Sequence, residues 1–157
     1  MELPDSLLDC LVRETALVSE FSVLLEAETQ ALVNREAFDQ LPGLAQQKEE
    51  LALRLAALSD HRDSLLARLG LPAGHEGTGQ AAAQDARLSE TWQVLLARAA
   101  KARELNDRNS ALVELSLRYT RQSLDALREL SGVATAGTYD AQGRGRRAYG
   151  GKNIVAA

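Results

Sequence analysis

Apolar residues recur in alternating steps of four and three along the first part of the chain. Leu7, Leu11, Glu14, Val18, Phe21, Leu25, Glu28 and Leu32 form one such series, the spacing of a coiled-coil-like seam on one helix face. It predicts a helix from about Asp5 to about Arg35, with Asp5 or Ser6 as N-cap. Two seam positions are glutamates, expected at the edge of the seam rather than inside it. A second series, Leu41, Leu44, Lys48, Leu51, Leu55, Leu58, Arg62, Leu65 and Leu69, predicts a helix over 39–69. Asp39 is its expected N-cap, and Pro42 then falls in the first turn, where a missing N–H costs nothing. Gly70 and Pro72 form a stop signal. Each helix is about 30 residues, roughly 45 Å long, and the short connection sets them antiparallel.

Between Asp85 and Leu130 there is neither Gly nor Pro, which predicts a third helix over 85–130, roughly 70 Å if unbroken. Leu88, Trp92, Leu95, Ala99 and Ala102 continue the stripe of the first two helices, followed by Asn106, Asn109 and Val113. The second half adds apolar residues off that stripe: Leu112, Leu115, Leu117, Tyr119, Leu124, Leu127 and Leu130. Two shorter helices cannot cover such a length, so about 25 Å is expected to protrude or to be covered by something else. Exposed apolar side chains on more than one face point to a binding surface; the alternative is a helix that kinks back on its own bundle. Asn106 and Asn109 carry two readings. As buried amides they would set helix register, and as outward-facing amides they would bind a partner's backbone.

Glycine divides the rest. Of 11 glycines, four lie in GLPAGHEGTG (70–79) and six within 132–151. The first cluster reads as a Gly-rich connecting loop over 70–80. The second opens a flexible Gly/Arg-rich tail, 132–157, leaving 1–131 as one helical domain. The expected class is all-α: three long antiparallel helices with an extended third helix and a C-terminal tail. Composition agrees, since aromatic residues are only 4% and the core must come from Leu, Ala and Val.

The net charge of −4 is unevenly placed. In the tail, Arg144, Arg146, Arg147 and Lys152 face only Asp140, a balance of +3, so 14 basic and 21 acidic side chains leave −7 on the first 130 residues. An acidic body argues against wrapping a phosphate backbone, and four basic residues in the tail are a weak nucleic-acid signal. Tyr139 and Ile154-Val155 are apolar anchors that suit a tail folding onto a partner. Cys10 stands alone, so neither an intrachain disulfide nor a cysteine zinc site is expected. The opening MELPDSLLDC has no basic n-region and no long apolar run. It does not read as a secretory signal, and the expected compartment is the cytoplasm. His61 and His75 lack partners at metal-ligand spacing, and no nucleophile elbow, phosphate loop or dinucleotide fingerprint occurs. Neither catalysis nor a cofactor is expected.

The stretch LSETWQVLLARAAKARELNDRNSALVELSLRYTRQSLDAL (88–127), followed by TYDAQGR (138–144), resembles the FlgN family of flagellar export chaperones. The shared pattern is a Trp early in the third helix, then Leu-Asn-x-x-Asn, a leucine-bearing helical stretch, and a tail with Tyr, an acid and Gly. The segments EAETQAL (26–32) and KEEL (48–51) also suit the family. The resemblance implies long antiparallel helices without catalysis, acting in the cytoplasm. Such chaperones bind the C-terminal helical segments of hook–filament junction proteins of the FlgK and FlgL type, and deliver them to the flagellar type III export apparatus.

By the same resemblance, the later half of the third helix is the cargo-binding element. The expected contacts are Leu105, Asn106, Asn109, Leu112, Val113, Leu115, Tyr119 and Leu127, with helix-in-groove association. Tyr139 is similar to a family tyrosine that docks the complex onto the export gate, although the Arg-rich continuation departs from the pattern. Neither nucleic acid nor membrane insertion is expected, and the chain would be a monomer or a homodimer. The competing reading is a structural protein that self-associates through its third helix.

Overall fold

The computed structural model describes residues 2–132, together with the backbone of Thr138–Tyr139 and Gly145–Arg146. The fold is a helical bundle of four α-helices: α1 (Leu3–Val33), α2 (Leu41–Arg68), α3 (Gly74–Ala82) and α4 (Ala86–Ser131). A 3₁₀ segment, Arg35–Gln40, joins α1 to α2. After α4, Thr138–Tyr139 (β1) pairs antiparallel with Gly145–Arg146 (β2). By internal contact the chain forms two compact units, Met1–Ala111 and Leu112–Ala157. That division falls within α4, whereas the expected boundary lay at residue 132.

The helix ends follow local chemistry that differs in places from expectation. α1 starts before Asp5 and Ser6, with Glu2 as its N-cap, Pro4 in the first turn and Asp5 inside the helix. A proline at this point costs no intrahelical bond, which lets the helix begin two residues early. Asp39 lies in the 3₁₀ segment instead of capping α2; the α2 cap is Gln40, and Pro42 occupies the first turn. Asn34 ends α1 in extended backbone, and its side chain accepts from the Glu36 N–H at 3.1 Å, starting the 3₁₀ turn. The stop at Gly70 is a Schellman motif. Gly70 has φ of +71°, the Gly70 N–H donates to Ala67 O at 3.0 Å, and the Leu71 N–H donates to Leu66 O at 2.9 Å.

The Gly-rich segment is not simply a loop. Residues 74–82 form α3, despite glycine costing about 1 kcal/mol per helical position relative to alanine. Burial overrides that propensity. Asp63 Oδ1 accepts from the Gly74 N–H at 2.8 Å, tying the start of α3 to α2. Gly77 packs so closely on the Pro72 carbonyl that a Cβ there would overlap it. Ala81 and Ala82 then reach the main core.

That core joins Leu7, Cys10, Leu11 and Val18 of α1 to Leu65 and Leu66 of α2, and to Leu88, Trp92 and Leu95 of α4. Of the seam glutamates, Glu14 is buried beside it, contrary to its expected place at the edge, whereas Glu28 is only partly buried. Glu14 is 4% exposed and meets Arg62 at 2.9 Å, while Glu28 meets Lys48 at 2.9 Å. Each acid on the α1 seam is therefore matched by a base on the α2 seam, so neither charge is buried alone. Along α4, Arg87 reaches Asp5, Arg98 reaches Ser19, Lys101 reaches Glu26, and Asn109 reaches Glu28. Residue numbers rise together in these contacts, so this part of α4 runs parallel to α1 and antiparallel to α2.

Candidate partner-binding face

The expected contact residues separate into three groups. Leu105 and Asn109 are buried, at 7% and 2% exposure, so the expectation of both at a partner surface is corrected. Asn109 is committed on every polar atom. Its Nδ2 donates to the Leu25 carbonyl at 2.9 Å and to Glu28 Oε1 at 2.8 Å. Its Oδ1 lies 2.6 Å from the Thr29 hydroxyl, which is also 2.9 Å from the Leu25 carbonyl. Lys48 completes the layer through Glu28. A buried amide with both N–H groups and its oxygen paired is a register device, which resolves the two readings of Asn109 toward structure.

Asn106 is exposed, one turn away from that layer. It lines a shallow groove of about 290 Å³ with Val18, Phe21, Leu55, Ala99, Ala102 and Arg103. Ala99 and Ala102 leave that space because the α4 seam carries small residues where α1 and α2 offer Phe21 and Leu55. The sequence showed no sign that two amides three residues apart would have opposite environments. Only the phase of α4 against α1 decides it.

The third group lies in the Leu112–Ala157 unit. Leu112 is half-buried, whereas Val113, Leu115, Tyr119 and Leu127 are exposed, Tyr119 at 60%. Leu117, Leu124 and Leu130 share this exposure, Leu130 at 85%. These last three were noted off the stripe in the sequence but were not counted among the contact residues. At about 100° per residue, all eight fall within one arc of the helix. Arg118, Arg121, Glu114, Asp125, Arg128 and Glu129 occupy the opposite arc. An exposed helix face rich in apolar side chains is suited to burial by another apolar surface. The strand pairing includes the Tyr139 backbone, but the Tyr139 side chain lies outside the described residues.

Among the described residues, the titratable groups that shift do so through burial or pairing. Burial pushes the Cys10 thiol up to about 11, with the Glu14 carboxylate adding to the effect, so Cys10 is a poor thiolate. Burial also raises the Glu14 carboxyl above its ordinary value, with Arg62 opposing the shift. Hydrogen bonds from Arg87 lower the Asp85 carboxyl, which accepts from the Arg87 N–H at 2.9 Å near the start of α4. The Trp92 ring contacts His75, at 5.2 Å between ring centroids, and carries the Arg62 guanidinium over it, 5.7 Å from its centre. That places the tryptophan of the sequence pattern in the core, as a platform for a buried cation. Among the described residues, no group of three or more His, Cys, Asp or Glu side chains could hold a metal ion. No helix among them is long and apolar enough to cross a membrane.

Comparison with known proteins shows the family. The family model described as FlgN protein covers residues 1–147. No curated protein and no solved structure matches the chain.

Proposed function

The chain belongs to the FlgN family of flagellar export chaperones, and from that premise we propose that it binds the C-terminal helices of hook–filament junction proteins of the FlgK and FlgL type. It holds them unassembled in the cytoplasm and delivers them to the flagellar type III export apparatus. Tyr139 is the proposed docking residue for the export gate. The observation that carries the reading is the exposed apolar face of α4 over Leu112, Val113, Leu115, Tyr119 and Leu127. Amphipathic cargo packed on that face takes leucines out of water, each contributing roughly 1.5–3 kcal/mol before ordering costs. A micromolar complex needs about 8 kcal/mol net, so several of these residues act together.

Leu112→Asp with Leu115→Asp tests the reading. Calorimetric titration with the C-terminal segment of a FlgK-type protein should show binding abolished while circular dichroism keeps its helical signal. Undiminished binding would remove this face as the cargo site. Light scattering separates the competing self-association reading. A peptide-indifferent dimer would support that alternative, and a monomer forming a defined complex would support the chaperone.

A further inference from the structure

The apolar arc of α4 between Leu112 and Ser131 is wider than one helix can cover. The seam positions of the first half of the helix, continued in the same four–three rhythm, are Val113, Ser116, Thr120, Ser123, Leu127 and Leu130. The middle of the expected stripe therefore carries three hydroxyl side chains. Apolar ridges flank them instead. Leu112, Leu115, Tyr119 and Ala126 lie on one side, and Val113, Leu117 and Leu124 on the other. At about 100° per residue the ridge centres stand roughly 150° apart, and the whole arc spans about 200°. A helix that packs on a single neighbour needs a stripe nearer 100° wide. Seated over the hydroxyls, one partner helix would leave the ridges at about 75° to the contact direction, pointing past it. Seated on one ridge, it would leave the other in water, where Leu115 stands 41% and Leu117 52% exposed.

We propose that this face of α4 receives two helical segments of the cargo side by side, one on each ridge, with Ser116, Thr120 and Ser123 between them. The small hydroxyl side chains permit close approach at the centre, and both ridges become interior. The edges indicate charge. Arg121 and Arg128, seven residues apart, border the Leu117–Leu124 ridge, and Arg128 also pairs with Asp125 at 3.6 Å. The segment seated there carries acidic residues at heptad spacing, facing these guanidinium groups. A second copy of α4 is a poorer occupant, because two equal helices meeting on one ridge leave the second ridge of each uncovered.

This inference rests on the cargo reading above, and its test separates the two. Two full-length variants each alter one ridge: Leu115→Asp with Tyr119→Asp, and Leu117→Asp with Leu124→Asp. Affinity for the C-terminal segment of a FlgK-type protein is measured by calorimetry, with circular dichroism and sedimentation confirming helicity and oligomeric state. Each variant should weaken binding at least tenfold. Loss from one ridge alone means a single cargo helix, which overturns the inference and leaves the cargo reading standing. Loss from neither overturns both. If the second-ridge variant instead dissolves a dimer of the free chain without weakening cargo binding, that ridge belongs to self-association and the inference also falls.

Discussion

Arg62 holds the Glu14 carboxylate through two hydrogen bonds, at 2.9 and 3.1 Å, inside the α1–α2 seam. Lys48 does the same for Glu28 at 2.9 and 3.1 Å. Both acids and both bases are fourteen residues apart, so one antiparallel register satisfies the two pairs together. A slip of one heptad would part both pairs, setting Glu14 opposite Leu55 or Leu69 and Glu28 opposite Leu41 or Leu55. The pairs thus choose among registers that the leucines alone would leave nearly equivalent.

Breaking the deeper pair should be costly. Glu14→Ala leaves Arg62 buried without its carboxylate, while Arg62 Nε already has no hydrogen-bond partner among the described residues. A loss of about 3–5 kcal/mol at neutral pH is expected from urea denaturation. The double change Glu14→Leu with Arg62→Leu should recover most of it. A double variant no more stable than the single one would contradict a pair held mainly for register.

The same carboxyl predicts a pH dependence. Burial raises the folded-state Glu14 value above the unfolded one, so the native chain retains a proton that the unfolded chain releases. The corresponding stability is fully present below the ordinary glutamate range and declines as pH rises through the folded value. Glu14→Gln does not titrate. The stability of the native chain relative to this variant should therefore fall between pH 4 and neutrality, and a flat or rising difference would show that Arg62 outweighs burial.

Asn109→Ala removes an amide that satisfies the Leu25 carbonyl and Glu28. Loss of about 1–3 kcal/mol is expected, seen as a lower denaturation midpoint. Affinity for cargo peptide should stay within twofold while the protein is folded. A tenfold loss of affinity at unchanged stability would return Asn109 to the binding surface.

Two glycines of α3 should respond in opposite directions. Gly77→Ala collides with the Pro72 carbonyl and should destabilise by about 1–3 kcal/mol. Gly79 has open space around its Cβ position, so Gly79→Ala should stabilise by up to about 1 kcal/mol through helix propensity. Thermal melts of the two variants suffice, and equal shifts would argue against the close approach at Gly77.

The four–three spacing of Leu7 through Leu32 and of Leu41 through Leu69 was enough to specify two long helices, because helical periodicity is written locally. The absence of Gly and Pro between Asp85 and Leu130 likewise specified the long α4, and Gly70 the end of α2. Tertiary packing decided the remainder. Helix α3 forms in a glycine-rich stretch because Gly77 can approach Pro72 and because Ala81 and Ala82 gain a core, neither of which local propensity contains. Glu14 resembled an edge residue until Arg62 was brought opposite it. Asn106 and Asn109 are nearly equivalent in sequence, yet one is exposed and the other closed in a three-helix hydrogen-bond layer. Which side of a helix faces its neighbour depends on the phase of packing, and residues distant in the chain set that phase.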